Sequence, residues 1–272
     1  MASFLFPPLP HDASVHGHQV DAVLRFLLVG TGACFAVMAA ILLIAIGFHR
    51  AGAREAHYTH GDRGRDRLAA ALAGAVVLFG IDAVAVVRSA GPLRSTFWSF
   101  PDADPRALRI EVTGQQWAWR FRYPGADGQF ATSDDVVTLN ELRVPVGRPV
   151  TLELTSRDVV HSLYLPSFRT KVDAIPGTVT RMWFEPRETG SFEIGCAQHC
   201  GAWHYKMRGE LFVLDGDGFG RWLTRAAADA ALRNGAAAGA AAGAAAGAGA
   251  AASQVTRVAG SDAGWAWMGG AR

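Results

Sequence analysis

The sequence predicts a transmembrane α-helical hairpin followed by an all-β Greek-key sandwich. Two observations carry the first part and one carries the second. Leu24–Phe48 is apolar apart from Arg25, and Leu68–Val87 is apolar apart from Asp82. Each run supplies about the 20 residues needed to cross a hydrocarbon core. Beyond them, short segments of alternating apolar and polar residues recur at the spacing of a sandwich.

The hairpin is assigned to residues 24–88 and an extracytoplasmic segment to 1–23. Arg50, Arg54, Arg63, Arg65 and Arg67 lie between the two runs, whereas residues 1–24 hold no Lys or Arg. Positive charge retained inside puts that loop in the cytoplasm and both ends outside. The first run does not read as a signal peptide, because it lacks a basic start and follows three prolines. Asp82 is costly in lipid and calls for a partner or a polar cavity; it also sits close enough to the interface for local solvation or pairing with Arg88. Gly91-Pro92 predicts the end of the second helix and a connector over 89–106.

The sandwich is assigned to 107–216. Its expected strands are Leu108–Thr113, Trp117–Tyr123, Val137–Val144, Pro149–Thr155, Val159–Leu165, Val179–Phe184, Ser191–Gly195 and Glu210–Leu214. Turn residues separate most of them, as in Pro124-Gly-Ala-Asp-Gly128 and Ile175-Pro-Gly177. Residues 217–234 predict a helix that stops at Gly235. Residues 235–252 are only Ala and Gly, so 235–272 reads as a flexible linker and tail ending near Trp265 and Trp267.

Half of the 272 residues are hydrophobic and the formal charge is +2. That suffices for one sizeable outer domain plus membrane spans, and gives no argument for nucleic acid. Three cysteines are too few for a disulfide framework, and Cys34 lies alone in an apolar run. No Cys-x-x-Cys-His occurs, which excludes a fused cytochrome c domain.

The chemistry concentrates in Cys196-Ala-Gln-His-Cys200-Gly-Ala-Trp-His204-Tyr-Lys-Met207. Two thiols, an imidazole and a thioether in one short stretch suit copper, because soft sulfur ligands select it and Met favours it over zinc. A loop disulfide and a structural zinc site are the alternatives. Met207 and the upstream His161, in Asp158-Val-Val-His161-Ser-Leu, weigh towards copper.

On these residues the segment from about Arg109 to Leu214 resembles subunit II of the haem–copper cytochrome c oxidases, with its dinuclear CuA centre. The matching motifs are His161-Ser-Leu, Lys171-Val-Asp-Ala-Ile-Pro-Gly177 and Cys196-x3-Cys200-Gly-x2-His204-x2-Met207. Gly114-Gln-Gln-Trp117-Ala-Trp119 is similar to the family's aromatic segment, with Gln115 where the family usually has His.

The resemblance implies a cupredoxin-like fold for the sandwich. It implies two copper ions bridged by Cys196 and Cys200, one completed by His161 and Met207. The other is completed by His204 and the backbone carbonyl of Gln198. Trp117 matches the residue at which electrons enter. Gln198 stands where the family has a glutamate, so the magnesium site at the subunit I interface loses its carboxylate.

The implied function is to accept electrons from cytochrome c, or another small redox protein, and pass them to haem in subunit I, where O2 is reduced to water. The implied partners are subunit I, other oxidase subunits and the membrane. The implied location is the bacterial cytoplasmic membrane, multi-pass, with the copper domain on the outer side. Asp127, Asp134, Asp135 and Asp158 are expected docking acids, offset by Arg120, Arg122, Arg143 and Arg157. The rival readings are a nitrous oxide reductase-like copper protein, a quinol oxidase subunit II without copper, and a membrane-tethered copper carrier.

Overall fold

The computed structural model describes residues 9–50, 60, 61 and 63–234. Arg54 and the tail 235–272 lie outside the described residues. The chain divides into two compact units. One takes in the chain up to Phe121 together with Thr138–Phe219; the other takes in Arg122–Val137 together with the chain from Gly220.

In the first unit, two helices are long and apolar enough to cross a membrane. The first runs over Gly17–His49 and the second over Gly64–Phe97. Neither apolar window is buried within the chain. Large side chains such as Phe35, Met38, Leu43 and Phe79 stand outward, as lipid-facing residues do. The Gly30 Cα faces Ile81 without a side chain between them. Arg88 lies over the Phe26 ring, 5.0 Å from its centroid.

The second helix does not end at Gly91-Pro92. Pro92 lacks an N–H and its ring crowds the carbonyl four residues back, which normally breaks a helix. Here the chain widens into π geometry over Leu93–Phe97, where Trp98 N–H donates to the Leu93 carbonyl at 3.2 Å. A second π turn, Leu78–Asp82, carries the outward-facing Asp82.

The outer domain is a sandwich of ten strands: β1 Leu108–Gln115, β2 Ala118–Tyr123, β3 Val136–Leu139, β4 Glu141–Pro145, β5 Val150–Ser156, β6 His161–Leu165, β7 Thr170–Ala174, β8 Thr180–Phe184, β9 Gly190–Cys196 and β10 Arg208–Leu214. One sheet has the order β3-β2-β1-β5-β8 and the other β4-β10-β9-β6-β7. Parallel neighbours β1/β5 and β4/β10 require crossovers between sheets, which gives the Greek key. Alternate residues fill the core between the sheets: Ile110 and Val112, Trp119 and Phe121, Leu152 and Leu154, Leu163 and Leu165, Leu211 and Val213 are all buried.

Two strand expectations change. Val137–Val144 splits at Asn140, whose positive φ of 56° turns the chain and whose side-chain oxygen accepts from Trp119 N–H at 2.8 Å. Thr170–Ala174 is an additional strand paired antiparallel with β6. In the second unit, residues 220–234 of the terminal helix pack on the 122–137 excursion. Trp222 meets Tyr123 edge-on at 5.1 Å, and Asn234 Nδ2 donates to the Ser133 carbonyl at 2.6 Å.

The segment before the first helix is sewn onto the sandwich by three backbone bonds: Ala13 N–H to Ser167 O, Val15 N–H to Glu185 O and Arg187 N–H to Ala13 O. Arg169 clamps the same junction. Its Nε and Nη2 donate to the Asp21 carboxylate at 2.7 and 3.0 Å, and its remaining donors reach the Pro10 and Pro166 carbonyls. Only 10% of the Arg169 side chain and 14% of that of Asp21 are exposed. Arg169→Ala leaves Asp21 buried without its counter-charge and is expected to destabilise the chain by about 3 kcal/mol. Thermal unfolding of the detergent-solubilised protein reads this, and the added Asp21→Asn change should recover part of the loss.

Candidate metal centre

The site is built where β6 and β9 run side by side. The antiparallel register sets Leu163 opposite Cys196, so His161 opens β6 beside the end of β9. Ala197 N–H then donates to the Ser162 carbonyl at 2.9 Å. The chain leaves β9 at Cys196, turns through a short 3-10 stretch at His204–Lys206 and re-enters the sheet as β10. Cys196 N–H donates to Met207 O at 3.2 Å, closing the loop at its neck. Gly201 allows the turn: its φ is +119°, and a Cβ there would stand 2.8 Å from Gln116 Nε2.

The two cysteines are free thiols, with Sγ atoms 3.8 Å apart. A disulfide would hold them at about 2.05 Å. The ligand atoms of His161, Cys196 and Cys200 all lie within 4.8 Å of one another, a group able to hold a metal ion. The other sequence-derived residues come to the same place. His204 Nδ1 is 3.6 Å from Cys200 Sγ, Met207 Sδ is 3.7 Å from it, and the Gln198 carbonyl is 3.3 Å from Cys196 Sγ. The Gln198 side chain is exposed and contributes no carboxylate.

His161 is completely buried. Its Nε2 is held by Asp158 Oδ1 at 2.8 Å, while its buried Nδ1 has no hydrogen-bond partner among the described residues. A buried, unpaired ring nitrogen is costly unless something else binds it. A carboxylate fixing the far nitrogen is what orients a ligating histidine. Trp119 stands edge-on to the ring at 5.9 Å. Gly114 leaves it room, since a Cβ there would lie 2.9 Å from His161 Cδ2.

Burial pushes the Asp158 carboxyl upward, but hydrogen bonds from Gln116 N–H, the His161 ring and Val159 N–H outweigh it and hold the pKa at about 2. Burial first, and then the charge on Cys196, push the Cys200 thiol up to about 12. In the metal-free site this thiol therefore keeps its proton at neutral pH.

Trp117 sits half-buried on the loop between β1 and β2, while Trp119 and Phe121 turn into the core. Its ring stacks on Trp203, with centroids 5.5 Å apart and planes at 23°. Gln116 anchors this loop to the metal loop through Nε2 and the Cys200 carbonyl at 2.8 Å.

All four expected docking acids are engaged within the chain, Asp127 by accepting from Gln129 N–H at 2.9 Å. Asp158 serves His161. Asp135 is buried, 3.5 Å from Arg122. Asp134 accepts from Ala126 N–H and the Thr132 hydroxyl. Sequence reasoning missed Trp203, Gln116 and the orienting role of Asp158. The three-residue spacing from Asp158 to His161 was a visible signal for the last; the other two contacts are long-range.

Asp158→Asn is expected to weaken metal binding about 10–100-fold with the fold retained, measured by competition with a chromophoric chelator. Metal uptake should also expel the Cys200 proton, so apparent affinity rises with pH below about 12. A pH-stat titration that registers no proton release on loading would contradict this.

The comparisons with known proteins agree with the geometry. A family model described as cytochrome c oxidase subunit II, periplasmic domain, matches residues 108–211. An alternative cytochrome c oxidase subunit 2 from Bradyrhizobium diazoefficiens is 40% identical over 148 residues, 46% of this chain and 53% of the relative. Cytochrome c oxidase subunit 2 of Cereibacter sphaeroides is 26% identical over 253 residues, 81% of this chain and 79% of the relative. The crystal structure of the periplasmic domain of subunit II of cytochrome oxidase from Bradyrhizobium japonicum aligns at 30% identity and TM-score 0.40, covering 44% of this chain and 92% of that one. The chain spans about half the length of the first of these relatives. Through its outer domain and that domain's sulfur-rich loop, the chain belongs to the subunit II family of the cytochrome c oxidases.

Proposed function

We propose that this chain is the electron-entry subunit of a membrane terminal oxidase, holding a dinuclear CuA centre outside the lipid. One observation carries the reading: two unbonded thiols 3.8 Å apart, flanked by the orphaned Nδ1 of His161 and the buried thioether of Met207. Cys196 and Cys200 would bridge two copper ions. His161 and Met207 would complete one, and His204 with the Gln198 carbonyl the other. Bound there, the pair of coppers would take up and release one electron at a time.

The chain's own contribution is to hold these donors still. His161 and Met207 lie on strand ends or beside them, buried in the sandwich. Asp158 and Trp119 fix the imidazole from two sides. Geometry that the protein imposes needs little rearrangement when charge changes, which favours rapid electron transfer. The donor set of thiolates, imidazoles and thioether suits copper better than zinc.

The donor would be cytochrome c or another small redox protein, arriving at the loop of Trp117. The acceptor would be haem in subunit I, where O2 is reduced to water. The arginines between the two apolar runs support a location of the copper domain on the outer side of a bacterial cytoplasmic membrane. Gln198 offers no carboxylate for a magnesium ion at the subunit I interface.

The test is metal content and spectrum of the purified chain. Two coppers per chain with a fully delocalised mixed-valence signal are expected; one copper with a blue-type spectrum, or tightly held zinc, would overturn the reading. Met207→Leu should shift the reduction potential while sparing the fold, because the thioether contacts Cys200 Sγ from the side. Circular dichroism distinguishes that outcome from a collapsed domain.

A further inference from the structure

The return limb of the metal loop carries a cluster that the ligand set does not use. Trp203 is 55% exposed and Tyr205 67% exposed. Lys206 Nζ lies over both rings, 5.3 Å from the Trp203 centroid and 5.6 Å from that of Tyr205. Trp203 rests in turn on Trp117. The outermost ring over this side of the site is therefore Trp203, with Trp117 half-buried behind it.

The cluster is held in place. His204 N–H donates to Gly201 O and Lys206 N–H to Trp203 O, so the three side chains sit on a tight turn. Exposed, pre-ordered aromatic side chains make effective contact surfaces because little entropy is lost on docking. The exposed charge on this turn is that of Lys206, which pairs with no carboxylate among the described residues; the Asp158 carboxylate stays ionised but is held between His161 and the Gln116 amide.

From this we infer that Trp203, Tyr205 and Lys206 form the docking patch for the electron donor, and that the donor is a small one-electron carrier whose apolar prosthetic-group edge is rimmed by carboxylates. The inference rests on the proposed electron-entry role and adds the class of partner to it. A ring of carboxylates around an apolar edge complements an aromatic pair crowned by one ammonium group. A lysine-rimmed carrier would meet Lys206 with like charge, which costs encounter rate and affinity.

The experiment titrates the full-length, detergent-solubilised chain with two haem c proteins of similar size, one acid-rimmed and one lysine-rimmed. Dissociation constants are read at low and high ionic strength, on metal-free and copper-loaded protein. The acid-rimmed carrier is expected to bind about tenfold more tightly at low salt, and to lose that margin at high salt. Lys206→Glu should reverse the preference. Trp203→Ala should weaken the acid-rimmed carrier about tenfold, while Trp203→Phe keeps it within about threefold.

Tighter binding of the lysine-rimmed carrier to the unaltered chain overturns the inference. So does an unchanged affinity in Trp203→Ala, or self-association of the chain through this face in place of carrier binding. Copper stoichiometry and the mixed-valence signal are recorded on the same samples. Their failure counts against the dinuclear centre alone, because docking is also read without metal.

Discussion

The pairing of β6 with β9 is the constraint on which the site depends. Leu163 opposite Cys196 brings the first residue of one strand beside the last residue of the other. A slip of one residue would turn His161 away from the sulfurs and send Leu163 out of the core, since side chains alternate between faces. The buried side chains Leu163, Leu165 and Ile194 oppose that slip by filling the space between the sheets. The core therefore sets the register, and the register sets the site.

From that register the chemistry follows in steps. A buried histidine with one nitrogen tied to a carboxylate must offer the other to a ligand or leave it unsatisfied. Two thiols that are neighbours but not bonded suit bridging more than cross-linking. Burial raises the proton affinity of the deeper thiol, so a metal bound there would have to displace a proton rather than meet a pre-formed thiolate. The buried Trp119 stands edge-on to the His161 ring on the core side, and the Trp117–Trp203 stack is partly exposed.

The sequence made some of this legible and hid the rest for physical reasons. The ligand loop could be read because it is local: Cys196, Cys200, His204 and Met207 fall within twelve residues. His161 was found through its motif, and the alternation of β1, β5 and β10 through a period of two. The strand Thr170–Ala174 was not, because its residues do not alternate cleanly in burial. Asn140 hid a turn inside an alternating run, since its left-handed conformation leaves no trace in hydropathy. Pro92 suggested a helix end that a widened turn avoids. The stacking of Trp203 on Trp117 joins residues far apart in sequence, and no spacing rule anticipates it.

The clamp between Asp21 and Arg169 raises a different point. A buried ion pair seldom stabilises more than apolar residues of the same shape, because two charges must be taken out of water. Its advantage is directional. The guanidinium fork meets the carboxylate through two nitrogens and reaches two further carbonyls, so it fixes angle as well as distance, which an apolar contact would leave free. Arg169 adopts a left-handed backbone conformation to do this, φ 53°, a strain that a non-glycine residue tolerates only when its surroundings hold it. The pair sits where the first helix leaves the outer domain, and three backbone bonds run alongside it. Under the proposed function, the distance from this domain to an acceptor beyond its own chain would matter, and a stiff root would serve that better than a merely strong one. The junction has the chemistry of a stiff root.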